Sequence, residues 1–440
     1  MMRDYITGVF SDRERYLNSV FLQNVTSTFL VNVALLLLAI ANSAIIARWL
    51  GPAGKGTLYL AMLAPGVLSL VLGAGVGVAN VYFAGSRRLA ISQLTRNSVG
   101  FTLLATLVGV VAVAGAIVTG WLNKLLPGVP IGIAALAMLA FPIGLLASYF
   151  TAVLQGLQRI IKINVVSLTQ GALTLALTLL CVVGMRLNLL GGVVANLGAG
   201  FGVLLLAATF LRREGGAFTP NWQGTVLRPT LAFGLRGYVG NVLQFFNYRL
   251  DAFIVNFFLG PAGVGIYGVS VALAELLWHL PNAVSFVIFP KASATSPETM
   301  NRFTPRVFRG VLGLTALGGL GLVVTGRFLI RIIYTTAFDA AYGAMLALLP
   351  GVILLGGAKV LTNEIAGRGY PQYNSISSAL GLVLTIILDI LLIPRFGILG
   401  AALASSAAYA AIFVAAIAFY GRVSRCTPPA DGRAADVDLT

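Results

Sequence analysis

The sequence predicts an all-α polytopic membrane protein with about 12 transmembrane helices, built as two six-helix lobes related by a parallel repeat. Three observations carry this. Of 440 residues, 58% are hydrophobic and only 10% charged, a balance in which a water-soluble chain of this length would not stay in solution. The apolar residues fall into runs near the ~20 that a helix needs to cross a ~30 Å hydrocarbon core. A short motif, Leu-Gly-Pro-Ala-Gly, occurs at Leu50–Gly54 and again at Leu259–Gly263.

In chain order the runs are 24–49, 57–83, 98–120, 131–155, 164–185, 189–211, 237–259, 264–289, 307–326, 341–366, 374–393 and 398–420. Backbone groups in lipid must bond within their own segment, and these runs are too long and too uniformly apolar for barrel strands, so each is read as a helix. The first two are joined by Trp49–Tyr59, WLGPAGKGTLY, which looks at a glance like a phosphate-cradling loop. It lacks the Gly-x4-Gly-Lys-Ser/Thr spacing, because Lys55 is followed by Gly56, and its flanks are membrane helices. The stretch reads instead as a helix stop and tight turn, with Lys55 as a solvated charge.

The seventh and eighth runs are joined by the second copy of that motif. At the same offset of 209, nine of the 25 positions from 32 to 56 match, including Asn32 with Asn241 and Gly56 with Gly265. Arg186, Leu190, Gly191 and Ala195 likewise fall on Arg395, Leu399, Gly400 and Ala404. Each copy holds an even number of helices, so both enter and leave on one side of the membrane, as a parallel repeat requires. The expected organisation is an N-terminal lobe over 1–211, a cytoplasmic linker over 212–236, a C-terminal lobe over 237–420 and a cytoplasmic, disordered tail over 421–440.

A net charge of +16 suggests nucleic acid until the basic residues are placed. With a cytoplasmic N-terminus, 20 of the 29 Lys and Arg fall in inside segments, among them Arg87, Arg88, Arg212, Arg213, Arg422 and Arg425. Only Arg48, Lys55, Lys124, Arg186, Arg327, Arg331 and Arg395 fall outside, leaving Arg249 and Lys359 within the membrane. This bias follows the positive-inside rule and puts both termini in the cytoplasm. The partner it implies is the lipid bilayer, with no nucleic acid and no nucleotide. The charged first twenty residues do not read as a cleaved signal peptide. Cys181 and Cys426 are too few and too far apart for a disulfide framework or a metal site.

Ionisable groups at mid-membrane cost at least ~2.5–3.5 kcal/mol on insertion scales, so they mark candidate sites. In the seventh helix Asn241, Gln244, Tyr248 and Asp251 are spaced three, four and three apart and share one face. Arg249 lies beside that stripe, and Asn247 stands four residues before Asp251. Two readings stand: a static ion pair or interhelical bond, or the lining of a cavity. In the eighth helix Glu275 and His279, the only histidine, are four apart. They read either as a neutral imidazole bonded between helices or as a protonation pair, since histidine titrates near physiological pH. Lys359 is expected to snorkel, and Asp389 to meet Arg395.

Four stretches, "ARWLGPAGKGTLYLA", "ALAELLWHLPNAVSFVIFPKAS", "LLPGVILLGGAKVLTNEIAGRGYPQYN" and "IPRFGILGAALASSAAYA", resemble the bacterial oligosaccharide and polysaccharide flippases. These share a superfamily with multidrug-and-toxin extruders and the peptidoglycan-precursor flippase. The resemblance runs along essentially the whole chain, in order. It implies a V-shaped pair of six-helix bundles around a central cavity, in a bacterial inner membrane, with no enzymatic activity and no cofactor. The implied cargo is an undecaprenyl-pyrophosphate-linked oligosaccharide. It passes from the cytoplasmic to the outer leaflet for O-antigen or exopolysaccharide synthesis, with polysaccharide polymerase machinery as a partner. Basic cavity residues engage the pyrophosphate in such flippases, which selects Arg249 first and Arg48 second, with Asn241, Gln244 and Tyr248 as substrate-binding neighbours. Antiport against an H⁺ or Na⁺ gradient would use Asp251, Glu275 and His279. A drug or metabolite exporter of the same superfamily is the alternative. A membrane-embedded glycan polymerase or ligase comes third, because the longest outer loop, about 327–340, offers one acid.

Overall fold

The computed structural model describes residues 2–220 and 224–425, with side chains from residue 27 onward except those of 236, 237 and 239. Among the described residues no strand forms, and ten helices are long and apolar enough to cross a membrane. They are α1 (Ser27–Leu72), α2 (Ile91–Val118), α3 (Ile131–Gly156), α4 (Ile160–Gly184), α5 (Asn188–Arg213), α6 (Gly240–Ala294), α7 (Pro297–Ile333), α8 (Ala341–Gly367), α9 (Gln372–Phe396) and α10 (Ile398–Arg425). The helix that continues into α6 begins at Gly224, inside the stretch expected as a linker. Cys426 and most of the expected tail lie outside the described residues.

Helices α1 and α6 have about twice the needed length because each is two helices merged at a glycine. Gly51 (φ 68°, ψ −175°) and Gly260 (φ 69°, ψ −176°) both leave the helical region at a positive φ that a side chain disfavours. Each is followed by a proline, Pro52 or Pro261, whose fixed φ starts the next helix. With α1 and α6 each counted as two, the predicted twelve apolar segments are present. The repeat is therefore written in the backbone as well as in the residues. Its second pair behaves alike: a Cβ on Gly191 would lie 2.8 Å from the Cys181 carbonyl, and one on Gly400 2.3 Å from that of Leu392. In both copies a helix start presses on the end of the helix before it.

Packing divides the chain into two compact units. The first comprises the described residues up to Val242 with Ala252–Gly268 and Phe328–Ala340. Its core gathers Phe83, Leu94, Phe150, Leu154, Val203 and Leu211. Two buried polar groups tie its helices together, Asn80 Nδ2 donating to Ser98 Oγ at 2.9 Å and the Tyr149 hydroxyl to the Gly73 carbonyl at 2.8 Å. The two motif copies meet in this unit. A Cβ on Gly56 would lie 1.7 Å from the Pro261 carbonyl oxygen, and one on Gly265 2.0 Å from that of Pro52, so only hydrogen fits at either place.

Arg48 and Lys55 sit beside this contact. The Arg48 guanidinium donates to the carbonyls of Ile333, at 3.1 Å, and Ile332, the last of α7, where a cation meets the negative end of the helix dipole. Lys55 is not the solvated charge expected of it. Its ammonium donates to the Ser43 hydroxyl and lies 5.0 Å from the centre of the Tyr334 ring, a cation–π partner contributed from far along the chain.

The second unit comprises Leu243–Asp251, Val269–Arg327 and the described residues from Ala341 onward. Small residues let its helices close up: Ala401, Ala402, Ala404 and Ala408 on α10 are fully buried. Ile288, Met300, Val311 and Val360 form a core cluster. A buried ion pair, Glu364 with Arg368, extends through Arg368 Nη2 to Asn301 Oδ1 at 2.8 Å, so that both charges are compensated. Across both units large apolar side chains such as Leu107, Val118, Leu317, Val324 and Val414 stand more than half exposed, as a surface solvated by lipid requires.

Two outcomes follow from this packing. G56A should lower stability by about 1–3 kcal/mol or more through overpacking. G66A, whose Cβ meets nothing within 4 Å, should be neutral or stabilising by up to about 1 kcal/mol; thermal unfolding of the detergent-solubilised variants by light scattering measures both. Glu214, just past α5, accepts hydrogen bonds from Arg159 and Lys162, at 3.0 and 2.6 Å, and these hold its carboxyl below the ordinary glutamate value. Its folded pKa being depressed, the stabilisation is complete above the ordinary value of about 4.3 and is lost as pH falls through the lowered one. The melting-temperature difference between wild type and E214Q should therefore hold at neutral pH and vanish on strong acidification.

Candidate functional site

Helix α6 supplies most of the polar side chains, and its shape decides which of them meet. A 3-10 turn over Leu276–Trp278 interrupts it. Pro281, having no N–H, leaves the carbonyl of Leu277 without its helical donor, so the chain tightens at that point. Glu275 stands immediately before the turn. Arg249 Nη1 donates to Glu275 Oε1 at 3.0 Å and Nη2 to Oε2 at 3.3 Å, a bidentate pair. The Arg249 side chain remains 33% exposed and that of Glu275 22%.

Aromatic rings wall this pair. Tyr248 and Trp278 lie 5.2 Å apart between ring centres, and Tyr409 of α10 closes the set at 5.9 Å from Trp278. Trp278 is fixed by its indole N–H, which donates to the Val352 carbonyl at 3.1 Å. Over its face, 4.0 Å from the centre, sits the ammonium of Lys359, which also donates to Asn282 Oδ1 at 3.0 Å and acts electrostatically on Glu275. Lys359 is thus not a snorkelling side chain. It is a second fixed cation beside the same carboxylate.

The expected site residues are distributed as follows. Gln244 donates to the Tyr248 hydroxyl at 3.2 Å, and both belong to the second unit with Arg249, Asp251 and Glu275. Asn241 is exposed and belongs to the first unit. Arg48 stands apart, engaged at the end of α7. His279 is exposed, and among the described residues no hydrogen bond joins it to Glu275, whose carboxylate is taken by Arg249. The i, i+4 spacing places the two on one face, but the 3-10 turn between them breaks the helical register on which that expectation rests.

A separate buried polar group lies between α6 and α9. Asp251 is 5% exposed and Asn247 3%. A Cβ on Gly381 of α9 would lie 3.3 Å from Asn247 Nδ2, which shows how closely the helices approach. One turn along α9, Thr385 Oγ1 is buried and unbonded; one turn further, Asp389 is fully buried with neither carboxyl oxygen hydrogen-bonded among the described residues. Asp389 therefore does not meet Arg395, which is exposed; it acts electrostatically on Asp251 instead. Two buried carboxyl groups and neutral oxygens suit a proton or a small monovalent cation. Among the described residues no three His, Cys, Asp or Glu come together as a metal site. The signal for Asp389 was present in the sequence as a second i, i+4 polar pair, Thr385 with Asp389, matching Asn247 with Asp251.

Known proteins resemble this chain at several levels. Two curated relatives from Haloferax volcanii, a probable flippase AglR and a probable low-salt glycan biosynthesis flippase Agl15, are each 26% identical, over 175 and 180 residues. These matches cover 38% and 39% of this chain and 37% of each relative, so the chain spans well under half the length of the relatives it matches. Among solved structures, the lipid II flippase MurJ in an inward closed conformation superposes with a TM-score of 0.73 at 15% identity, covering 92% of this chain and 90% of that one. A multidrug resistance MATE family transporter in an inward-facing conformation gives 0.64 at 13% identity, covering 89% and 94%. At such identities the likeness establishes the fold. The family described as polysaccharide biosynthesis protein matches residues 45–342, a span that includes both Gly-Pro breaks and the Arg249–Glu275 pair. That match takes in more than half of the sequence, and the chain belongs to this family.

Proposed function

We propose that the protein is an alternating-access flippase that carries an undecaprenyl-pyrophosphate-linked oligosaccharide from the cytoplasmic to the outer leaflet for polysaccharide biosynthesis. The observation that carries this reading is the Arg249–Glu275 pair, a bidentate, partly exposed guanidinium within a membrane-spanning helix. A guanidinium that binds two carboxylate oxygens presents the fork a phosphate takes up. The pyrophosphate displaces Glu275 from Arg249, and Lys359 stands ready as a second cation. The names of the relatives, the family and the shared fold support the same reading. The lobes over 1–211 and 237–420 rock about the cargo, in a bacterial inner membrane with both termini cytoplasmic and polymerase machinery nearby.

Movement is driven by antiport of H⁺ or Na⁺. Asp251 keeps the coupling role expected of it, and Asp389 joins it in place of Glu275 and His279, because Glu275 is the counter-ion of Arg249. Export of drugs is the second reading, favoured by the fold shared with the MATE transporter.

In proteoliposomes given a fluorescent lipid-linked oligosaccharide, R249A should reduce translocation at least about tenfold, since hydrogen bonds to charged groups contribute roughly 1.5–3 kcal/mol each. Drug transport without any lipid-sugar movement would end the flippase reading. D251N and D389N should leave residual translocation that no longer responds to pH or sodium gradients; transport by the wild type that ignores both gradients would sink the coupling assignment.

A further inference from the structure

The first unit holds an open cavity of about 800 Å³ among α1, α3, α4 and α5, and none of the charged-cluster or coupling residues is among those that line it. Its volume falls within the range of about 300–1,000 Å³ typical of small-molecule sites. Among the described residues no Lys, Arg, His, Asp or Glu lines it. The polar groups are amides and hydroxyls, among them Asn42, Ser148, Gln155, Gln170, Thr174 and Asn196, set among apolar side chains and glycines.

Their hydrogen-bonding state indicates what is missing. Ser148 and Thr174 donate their protons to carbonyls of their own helices, of Leu145 at 2.7 Å and of Gln170 at 2.8 Å, so toward the cavity they are acceptors. Asn196 Nδ2 donates to the Gly192 carbonyl at 2.8 Å, leaving its oxygen as an acceptor. Asn42 Oδ1 is buried and has no hydrogen-bond partner among the described residues, a state that costs free energy until a donor arrives. Gln155 and Gln170 are exposed and line the cavity, offering both donors and acceptors.

A cationic drug would want a carboxylate here, a phosphate would want a base, and an acyl chain would offer these polar side chains no hydrogen-bond partner. A neutral polyol, each of whose hydroxyls both donates and accepts, suits all of them. We infer that this cavity is a carbohydrate site that holds the uncharged sugars of the cargo and discriminates among glycans. The assignment rests on the flippase reading and adds to it a second recognition element, chemically opposite to Arg249. Buried polar groups built to bond a hydroxyl reject a ligand that lacks it, which makes these side chains the specificity determinants.

The test uses the full chain in proteoliposomes with two probes, undecaprenyl pyrophosphate bearing a fluorescent neutral trisaccharide and the same pyrophosphate bearing the fluorophore alone. The wild type should move the sugar-bearing probe faster. The near-isosteric double variant N42L/Q170M should lose that preference by roughly tenfold, as two lost hydrogen bonds imply, while moving the sugar-free probe at the wild-type rate. An unchanged preference in the variant, or none in the wild type, overturns the assignment. If the double variant does not fold, Q155M, at an exposed position, goes through the same comparison with the same two outcomes. If the wild type moves neither probe, the flippase reading fails by itself, and the cavity is then judged by saturation-transfer NMR with the free trisaccharide and the protein in nanodiscs. A signal abolished by N42L/Q170M supports the site; a signal unchanged by it, or absent from the wild type, overturns it.

Discussion

The carbonyl oxygens of Pro52 and Pro261 occupy the places where side chains on Gly265 and Gly56 would begin, and much of the first unit depends on that contact. A helix in lipid cannot leave its backbone unbonded, so a long apolar chain is interrupted only where special residues allow it. Gly51 and Gly260 allow it through their φ angles, and the glycines five residues later let the two interrupted segments come together backbone to backbone. Arg48 at the end of α7 and Lys55 against Tyr334 then complete a region built from three distant parts of the sequence.

The two units differ in chemistry more than in architecture. The second collects Arg249, Glu275, Lys359, Asp251 and Asp389 with three aromatic rings, although helices of both units carry the same repeated motif. In the first, the positions matching Gln244, Tyr248 and Asp251 at the repeat offset are Leu35, Ala39 and Asn42. All three line the uncharged cavity. At matched positions of the repeat, one helix face is ionic and the other neutral.

Much of the fold was legible in the sequence because membrane insertion is decided locally. Twenty apolar residues make a span whatever their neighbours are, and the Gly-Pro breaks recur with their dihedrals nearly unchanged. The pairings were less legible. Helical spacing matches Glu275 with His279, a rule that fails where a 3-10 turn intervenes, and Arg249 reaches Glu275 from another helix arm. Nearness along the chain pairs Asp389 with Arg395, whereas Asp389 is buried and interacts electrostatically with Asp251. Lys55 and Lys359 read as solvent-seeking because their aromatic partners, Tyr334 and Trp278, are remote in sequence. In each case the missing information was which helix faces pack together, and composition and period do not specify that.

The membership of the first unit also bears on how the chain is made. Its packing is completed by Ala252–Gly268 and Phe328–Ala340, segments that leave the ribosome only after the whole N-terminal repeat has been inserted. Until Pro261 has been synthesised the Gly56 backbone has no partner, and until Tyr334 has been synthesised Lys55 has no aromatic ring beside it. The N-terminal half is therefore an unfinished body for most of translation. A chain severed between its repeats would have to reassemble inside the bilayer before either product held its final shape.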